Sequence, residues 1–429
     1  MNDFSMYELA ERLFPICRSI TGAGIRQTLN IIKEYIPDMV ICEVPSGTQV
    51  FDWVVPREWE IREAYIENSH GERIIDFKRN NLHVMGYSIP VDRVVSLEEL
   101  KKYIYVEETD STAIPYVTSY YKERYGFCMS QMQRDSLVED NYHMYIDSNL
   151  KDDGNLTYGE VVIPGNTKKE IFVSTYVCHP SMANNELSGP CVTAKIYQYI
   201  MSLQNRRYTY RIVFIPETIG AITYLSRNLK EMKQNMAAGF VLTCIGDNRT
   251  YSYIASRYGN TLADRVAKNV LQYYYPQYEA YSYLQRGSDE RQYNAPGIDL
   301  PVCTVCRSKY GEYPEYHTSK DNMELISEEG MQGGYEVIKQ CIDALENNYK
   351  YRVTCLCEPN LGKRELFPTV SKKGGYAEVR ALVNFIAYAD GTNDLIDISS
   401  IIGVPIKDCI PIAKKLLTQG LLEVISDVC

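Results

Sequence analysis

The chain has 429 residues, more than one ordinary core requires, so we expect two or three domains of ~100–200 residues each. Hydrophobic residues make up 45% of it and charged residues 23%, which excludes a disordered chain. Lys and Arg number 45 against 55 Asp and Glu, and the net charge of −10 argues against nucleic acid as a partner, because the field of the protein repels polyanions.

The first residues, MNDFSMYELAERLF, do not have the basic segment and apolar core of a signal peptide. No apolar run reaches the ~18 residues that a membrane span needs. The 13 cysteines are odd in number and scattered along the chain, which favours reduced thiols. These features predict a cytoplasmic protein that does not contact a membrane.

Two pairs of cysteines have a spacing that zinc sites use. Cys303 and Cys306 form a CxxC, and Cys355 and Cys357 form a CxC. The alternative is that these cysteines bind no metal and pack as small hydrophobic side chains. The apolar run LPVCTVC, which is typical of a buried strand, favours this alternative.

The first third of the sequence contains two different hydrophobic patterns, one helical and one strand-like. Residues 5–36 are predicted to form two amphipathic helices, because apolar residues recur at helical spacing on either side of the turn SITGAG. Residues 48–155 have short alternating strands and turns, which predicts an inserted antiparallel β-rich domain. Its one predicted helix is SLEELKKYIYV, in which Ser96 is the N-cap and Glu99 completes a capping box.

The segments on either side of this insert, 1–47 and 156–350, are expected to form one discontinuous α/β domain. The apolar strands EVVIP, IFVSTYV, RIVFIP and GFVLTCI alternate with helices at about 188–204, 219–233 and 327–346. This alternation predicts a mostly parallel sheet flanked by helices. In such folds the functional residues gather at the carboxyl ends of the strands.

Residues 366–429 have the pattern of a winged helix, in which two helices joined by a Gly-containing turn precede the strand GLLEVIS. Such domains often bind DNA. The segment in the place of a recognition helix, IKDCIPIAKKLLTQ, has few cations, namely Lys407, Lys414 and Lys415, and it belongs to an acidic protein. We therefore expect this tail to pack or contact protein rather than bind DNA.

The chain has 5 histidines, and two of them are candidates for a site. We interpret His70 as part of a hairpin turn, and His83 and His143 as hydrogen-bonded residues of strand-like segments. His179 follows the buried strand IFVSTYVC and precedes the N-terminus of a helix, a position suited to a metal or an anion. His317 lies in a polar loop after the last strand of the sheet.

Several polar residues are expected beside these two histidines. Thr318 and Asp321 could accept from the second ring nitrogen of His317 and so fix its tautomer. Glu217 ends the strand RIVFIP, where desolvation would raise its pKa toward a value suited to a general base, although it could also be a simple helix N-terminal acid. With Asp247 and Asp289, which lie in later loops, these residues form a set that zinc accepts.

The order of CHPS, NNELSG, PETIG, CIGD, RGSDERQY and YHTSKDN along the chain resembles the zinc aminopeptidase superfamily, which also includes the glutaminyl cyclases. The sequence is more closely similar to a bacterial aminopeptidase-like family whose genes often lie beside those of polysaccharide biosynthesis. This resemblance covers nearly the whole chain, including CRSITG, VPREW, NLHVMGYSIPVDR, IPYVTSYYKERYGFC and the winged-helix tail.

The resemblance implies roles for the residues at matching positions. His179 matches the histidine that binds the first metal. Asn185 stands where the superfamily has an Asp that bridges two metals, and a neutral carboxamide cannot supply that anionic bridge unless the adjacent Glu186 turns inward. Glu217 matches the general base, whereas Thr218 replaces the acidic ligand that follows it.

The later positions match to different degrees. Thr243 falls where the strict motif has its next acidic ligand, and Asp247 lies a few residues beyond. His317 matches the closing histidine. Asp289 and Glu290 would bind the free α-amino group of a substrate.

Two functions from different classes follow. The first is a zinc-dependent aminopeptidase or small-amide hydrolase that acts on a small peptide or aminoacyl substrate, with one zinc ion rather than two and with Glu217 as the general base. The second is a metal-poor pseudoenzyme or assembly module that keeps the fold, which Asn185 and Thr218 favour because two anionic ligand positions have lost their charge. A homodimer would cover the edge strands of the insert.

Overall fold

The computed structural model describes residues 4–366 and 375–427. The chain begins with the two amphipathic helices expected from the sequence, α1 (Met6–Leu13) and α2 (Ala23–Lys33). Each buries one apolar face in the main core. The strand β1 (Val40–Pro45) follows and forms one edge of the central sheet.

The next part of the chain is an antiparallel β-rich module, as its alternating sequence pattern predicts. Its elements are β2 (Gln49–Val50), β3 (Trp53–Val54), β4 (Glu58–Glu67), β5 (Arg73–Asp76), β6 (Val91–Ser96), α3 (Leu97–Leu100), β7 (Ile104–Tyr105), β8 (Phe127–Cys128), α4 (Gln131–Asp135) and β9 (Asn141–Lys151). The order β5-β4-β9-β6 forms one antiparallel sheet. Alternate residues of β9 point into a separate small core, so the module has its own apolar interior.

Two local predictions in this module are wrong in detail. The helix predicted in SLEELKKYIYV is α-helical only over Leu97–Leu100 and continues as a 3₁₀ turn over Lys101–Tyr103, after which Ile104 and Tyr105 form β7. Ser96 caps it as expected, but the carboxylate of Glu99 binds Lys102 and Tyr103 instead of completing a capping box.

The histidines of the module are structural. His83 lies in a single helical turn, not in a strand, and its Nδ1 is 2.8 Å from the carbonyl oxygen of Cys128. His143 does lie in a strand, where its Nε2 is 2.7 Å from Asp92 Oδ1, and His70 is exposed in a turn. None of the three lies at the sheet edge that holds the candidate site.

The central α/β domain resumes after the insert and confirms the predicted fold class. Its elements are β10 (Asn155–Ile163), β11 (Glu170–Tyr176), α5 (Ser188–Ser202), β12 (Thr209–Ile215), α6 (Ile219–Asn235), β13 (Met236–Leu242), β14 (Ser252–Ile254), α7 (Leu262–Tyr274), β15 (Glu279–Tyr281), α8 (Glu290–Tyr293), β16 (Val302–Cys306) and α9 (Glu328–Glu346). The sheet order is β1-β10-β12-β11-β13-β16-β14-β15. Strands β12, β11, β13 and β16 are parallel neighbours, and antiparallel strands flank them.

Strand β11 lies in the middle of this sheet, and all seven of its residues are buried because helices cover both faces. The parallel strands all end at the same edge of the sheet. The loops that carry His179, Glu217 and Asp247 follow β11, β12 and β13 respectively, so this topology brings distant segments of sequence together at one edge.

The cysteine pairs do not gather into a cluster. Cys303 and Cys306 lie three residues apart in β16, so they point to opposite faces, and both are buried. Cys357 is exposed in a turn. This arrangement supports the interpretation of the CxxC as packing residues.

The last part of the chain forms the winged helix. Its elements are β17 (Tyr349–Val353), α10 (Gly375–Tyr388), β18 (Asp390–Asp394), α11 (Leu395–Ile402), α12 (Ile406–Thr418) and β19 (Leu422–Asp427), and its sheet has the order β18-β17-β19. The tail was expected to start at residue 366, but its sheet also takes in β17, which lies upstream. Residues 367–374 and 428–429 of the predicted tail lie outside the described residues.

The winged helix packs on α7 of the central domain. The guanidinium of Arg265 binds both Asp394 and Asp397, and Asn269 donates to Ser399 over 2.9 Å. Lys407, one of the cations in the place of a recognition helix, lies over the ring of Tyr274 at 4.5 Å. Within the part of the chain that the structure describes, no helix has the length and apolar character of a membrane span.

Candidate metal centre

His179 lies just beyond β11, and its side chain is buried at the carboxyl edge of the sheet. Its Nδ1 atom is 2.6 Å from Oε2 of Glu186, and its Nε2 atom is 3.5 Å from Oε2 of Glu217. Burial lowers the pKa of His179 to about 3, so the imidazole is neutral at physiological pH. A neutral imidazole held at Nδ1 by a carboxylate presents its Nε2 lone pair, which is the form that binds a metal.

Glu186 and Arg18 hold the orientation of the His179 ring from the side of its Nδ1 atom and its backbone carbonyl. Burial raises the pKa of Glu186 to about 8, and the nearby guanidinium of Arg18, 3.9 Å from Oε1, opposes the shift. Arg18 is fully buried and donates to the backbone carbonyls of His179 at 3.0 Å and Leu13 at 2.7 Å. A cation at His179 Nε2 and the charge of Arg18 both favour the carboxylate form of Glu186, which accepts from Nδ1–H.

His317 approaches from a loop after β16. Its ring stacks on Tyr316, and its centroid is 5.4 Å from that of His179. Its Nε2 atom is buried and has no hydrogen-bond partner among the described residues. Burial lowers the pKa of His317 to about 3, so this imidazole is also neutral. Two neutral imidazoles therefore lie side by side.

Asn185 is joined to this region through Tyr176, and the hydrogen-bond network fixes its carboxamide. Thr243 Oγ1 donates to the backbone carbonyl of Asn185 at 3.0 Å, so the hydroxyl of Tyr176 donates to Thr243 and accepts from Asn185 Nδ2 at 2.6 Å. The Tyr176 ring centroid is 5.2 Å from that of His179. Asn185 Oδ1 is left buried without a partner in the described residues, and a neutral oxygen of this kind can bind a cation.

Glu217 follows β12 and lines the same cavity as the two histidines. The pKa of Glu217 is raised to about 8, mainly by burial and secondly by the nearby carboxylate of Asp289. Thr218 comes next, with φ of 62° and ψ of −75°, a strained conformation for a β-branched residue. Its backbone N–H donates to Asp289 at 2.8 Å, and its hydroxyl accepts from Arg291, so the strain is held by specific contacts.

The two acids expected to bind an α-amino group are both buried. Glu290 accepts from the backbone N–H of Gly287 at 2.8 Å, from Tyr310 at 2.5 Å and from Thr304 at 3.1 Å, so both of its oxygens are engaged in structural contacts. Asp289 has one oxygen on the Thr218 N–H, and burial raises its pKa to about 7. Neither lines the cavity that His179 and Glu217 share.

Asp247, considered from the sequence as a ligand, is engaged by protein donors. Its Oδ1 accepts from the backbone N–H of Arg249 and the hydroxyl of Ser308, each at 2.9 Å. Its Oδ2 accepts from Asn184 Nδ2 and the backbone N–H of Ser308, again at 2.9 Å. The geometry therefore gives Asp247 a role in fixing the loops rather than a free oxygen for a metal.

Asp321 also has a role that differs from the expected one. It does not orient His317. Its oxygens accept from the backbone N–H groups of Ala183, Asn184 and Asn185 at 3.1, 2.6 and 2.9 Å, so it holds the start of the turn that leads into α5. The same turn carries Glu186, which explains how the loop after β16 positions the loop after β11.

A cavity of about 500 Å³ opens onto these residues. The sheet edge contributes Cys178, His179, Glu217 and His317 to its wall. The insert contributes the run from Thr118 to Lys122 together with Trp53, Tyr116 and Arg124. These insert residues were not predicted to belong to the site, although the aromatic and cationic run TSYYKER could have indicated them.

The insert is attached directly to the loop of His317. The backbone N–H of Tyr116 donates to the carbonyl of His317 at 2.9 Å, and Pro115 and Thr318 form an antiparallel bridge. Ser319 exchanges hydrogen bonds with Ile114 through its side chain and its backbone. The insert is therefore part of the site.

Two arrangements could hold an ion. Among the described residues, one group of three side chains offers ligand atoms within 4.8 Å of one another, namely Cys178, His179 and Glu186. In that group, however, burial raises the pKa of the Cys178 thiol well above its usual value, and the sulfur accepts from the backbone N–H of Glu217 at 3.2 Å. A second arrangement would use His179 Nε2 together with His317 Nε2 and Asn185 Oδ1, two buried atoms that have no hydrogen-bond partner in the described chain.

Comparisons with known proteins agree with this fold. Residues 7–348 match a family model described as a domain of unknown function (DUF4910), and residues 349–424 match a winged helix-turn-helix model. A Clostridium acetobutylicum protein, provisionally named a polysaccharide biosynthesis protein with an aminopeptidase-like domain, is 43% identical over 98% of this chain and 96% of its own length.

Solved structures extend the likeness. The crystal structure of a provisionally named peptidase from Clostridium acetobutylicum has a TM-score of 0.92 at 43% identity, over 98% of this chain and 96% of that one. A zinc aminopeptidase from Bacillus subtilis has a TM-score of 0.59 at 12% identity, over 79% of this chain and 93% of that one, and shares the fold. The chain thus belongs to the DUF4910 family of aminopeptidase-like proteins, with a winged helix at its C-terminal end.

Proposed function

We propose that the protein is a zinc-dependent aminopeptidase or small-amide hydrolase in which Glu217 is the general base. The observation that carries this proposal is that His179 and His317, both neutral, lie beside Glu217 on the wall of one cavity. The Bacillus subtilis protein of the same fold is named a zinc aminopeptidase, and the transfer of that activity to this chain is part of the proposal.

The residues fit one zinc ion. His179 Nε2 and His317 Nε2 would hold it, with Asn185 Oδ1 as a neutral oxygen ligand, because two of these atoms are buried without another partner in the described residues. A second ion has little support, since Asn185 and Thr218 carry no charge and Asp247 is engaged by protein donors. A neutral ligand set of this kind would bind zinc more weakly than one with a carboxylate bridge.

A zinc ion bound there supplies a Lewis acid that polarises an amide carbonyl and acidifies water. Glu217 lies 3.5 Å from His179 Nε2, within reach of a water molecule in the cavity. Burial raises the pKa of Glu217 to about 8, so this carboxyl is mostly protonated at neutral pH without a metal. A zinc cation nearby would lower that pKa, and the carboxylate could then take a proton from the water and return it to the leaving amine. Cys178 fixes the start of the Glu217 loop by accepting from its backbone N–H.

A metal-poor scaffold is the second candidate, and the loss of charge at Asn185 and Thr218 favours it. In that case the winged helix and the insert would serve protein contacts. The two candidates differ in metal content, which elemental analysis of protein purified in zinc-supplemented buffer measures directly. About 1 zinc per chain is expected for the hydrolase, whereas metal-free protein supports the scaffold.

Variants then test the centre and the base. His317→Gln should lower zinc content, whereas Cys178→Ser should leave it unchanged if the ion lies on the Nε2 side. His143→Gln, a histidine of the insert paired with Asp92, is the matched control. Glu217→Gln should retain zinc and lose about 10²- to 10⁴-fold in hydrolysis of aminoacyl anilides or small amides. Zinc-loaded protein without turnover on any amide would count against the hydrolase.

A further inference from the structure

The charge on the wall of the cavity is opposite to that of the protein as a whole. Three cations, Lys122, Arg124 and Arg291, line it, and Glu217 is the only carboxylate among the described lining residues. The chain carries a net charge of −10, so this positive wall is a local feature. A cleft lined by one sign of charge concentrates ligands of the opposite sign.

These cations form no close ion pair with the described part of the chain, although Arg291 is near enough to Glu217 and Asp289 to lower the pKa of each. Within the described residues, no carboxylate oxygen lies within 4.0 Å of a side-chain nitrogen of Lys122, Arg124 or Arg291. In the adjoining cavity, by contrast, Arg57 is paired with Glu123. Lys122 makes no side-chain hydrogen bond with the described chain, and Arg124 donates only to Ser119, at 2.7 Å. The ammonium of Lys122 and the two terminal nitrogens of Arg124 therefore remain available to a ligand.

Arg291 has the clearest need for a partner. It donates to the hydroxyl of Thr218, the residue that follows Glu217, and its Nε is buried with no hydrogen-bond partner among residues that the structure describes. A buried donor without an acceptor is costly, and a carboxylate or phosphate would satisfy the planar guanidinium through two parallel bonds. The anion would then lie next to the general base.

The cavity is, conversely, poorly suited to an ammonium group. Asp289 and Glu290, the acids that would receive an α-amino group, are buried outside the lining. Both oxygens of Glu290 are engaged, whereas Asp289 Oδ1 accepts from Thr218 and its Oδ2 is buried without a partner in the described residues. Glu217 is the general base of the proposed reaction. No further carboxylate lines the cavity in the described part of the chain, so its wall carries three cations against the single carboxyl of Glu217.

We propose that the substrate is an amide that carries an anionic group, a carboxylate or a phosphate, and that Arg291, Arg124 and Lys122 bind this group. That the substrate is an amide rests on the proposed hydrolase function. Binding of the anion at this site does not require turnover. Arg124 and Lys122 are specificity residues supplied by the insert, whereas Arg291 comes from the central domain.

The binding experiment uses the full-length protein and its own fluorescence. The chain has 2 tryptophans; Trp53 lines the cavity with 41% of its surface exposed, and Trp59 is buried. Glutarate and inorganic phosphate are titrated against glutaramide, the neutral analogue of glutarate. We expect glutarate, phosphate or both to change the emission at lower concentration than glutaramide. The Trp53→Phe variant should lose that signal.

Charge-removing variants identify the site. Arg124→Gln and Arg291→Gln should each weaken anion binding by about 10- to 100-fold, the loss of one charge-assisted hydrogen bond or two. Lys122→Gln, an exposed side chain whose loss does not threaten folding, should weaken it less and reduce its salt dependence. Lys101→Gln, an exposed lysine of the insert outside the cavity, is the control. The response to glutarate against phosphate decides which anion the site takes.

The outcomes separate the two proposals. Anion binding that Arg124→Gln and Lys122→Gln weaken, in a protein with no amide hydrolysis, supports the anion site and rejects the hydrolase. Turnover of glutamyl and glutaminyl anilides at equal kcat/KM, together with equal affinity for glutarate and glutaramide, rejects the anion site and leaves the hydrolase intact.

Discussion

Glu186→Gln is the substitution that tests the centre most directly. The change removes one charge but keeps the length and volume of the side chain, and Gln can still accept from His179 Nδ1–H. What it loses is the carboxylate at 2.6 Å, which makes His179 a stronger ligand and selects its tautomer. Zinc affinity should therefore fall although no proposed ligand is touched.

The magnitude follows from the two contacts of Glu186. Loss of the carboxylate partner of a metal-binding histidine weakens metal binding by about 10- to 100-fold, or about 1.4–2.7 kcal/mol. The same change leaves Arg18 buried without its carboxylate, which is 3.9 Å away. Arg18 keeps its two carbonyl acceptors, so above the pKa of Glu186, about 8, where its carboxylate is ionised, we expect a loss of about 3 kcal/mol in the free energy of unfolding, the lower end for breaking a buried pair.

A second variant separates these effects. Arg18→Met combined with Glu186→Gln removes the uncompensated charge, so it should recover part of the stability while zinc affinity stays low. Zinc affinity is measured by competition with a chromogenic chelator, and stability by urea unfolding of the metal-free protein at a pH above the pKa of Glu186, about 8. Glu312→Gln, an exposed carboxylate outside the cavity, is the control. Folded Glu186→Gln protein with unchanged zinc affinity would refute the orientation argument.

Three further changes have expected outcomes. Asn185→Asp should tighten zinc binding at least about tenfold by the same competition assay, because it puts an anionic oxygen in place of the unpartnered amide oxygen. Arg265→Ala should lower the free energy of unfolding by about 3 kcal/mol, because it leaves the buried Asp394 without its cation. Gly189→Ala should cost about 3 kcal/mol, because the new Cβ would lie 2.4 Å from the carbonyl oxygen of Leu242, a backbone atom of the sheet.

Controls keep these outcomes informative. Arg352→Ala removes an exposed pair with Glu423 and should cost under about 1 kcal/mol, so a similar loss in Arg265→Ala would mean that the contact with the winged helix is not energetically special. Unchanged zinc affinity in Asn185→Asp would place the ion elsewhere. A fully stable Gly189→Ala protein would contradict the close packing of α5 on the sheet.

The parallel strands made part of the site predictable. His179 and Glu217 each follow a buried apolar strand, and chains of this kind bring strand ends together at one edge, so their grouping follows from sequence periodicity alone. The roles of the acids could not be predicted in this way. Asp247 and Glu290 are residue types that can bind a metal or an amine. Their oxygens are instead occupied by donors from segments distant in sequence, such as Ser308 and Tyr310.

Arg18 illustrates the same limit. It lies 161 residues before His179, and nothing in the local sequence indicates that its guanidinium donates to the carbonyl of that residue. The insert is a similar case, because its alternating pattern predicts strands but carries no information about which loop it will contact. Only the folded chain brings Tyr116 to the loop of His317.

The bridge between Pro115 and Thr318 joins two parts of the chain that contribute differently to the site. The residues that would activate a bond lie on the central sheet, whereas much of the wall that would recognise a substrate lies on the insert. Substitutions between Tyr116 and Arg124 can therefore change which molecules are accepted while the histidines stay in place. A family built in this way can acquire new substrates without rebuilding its chemistry.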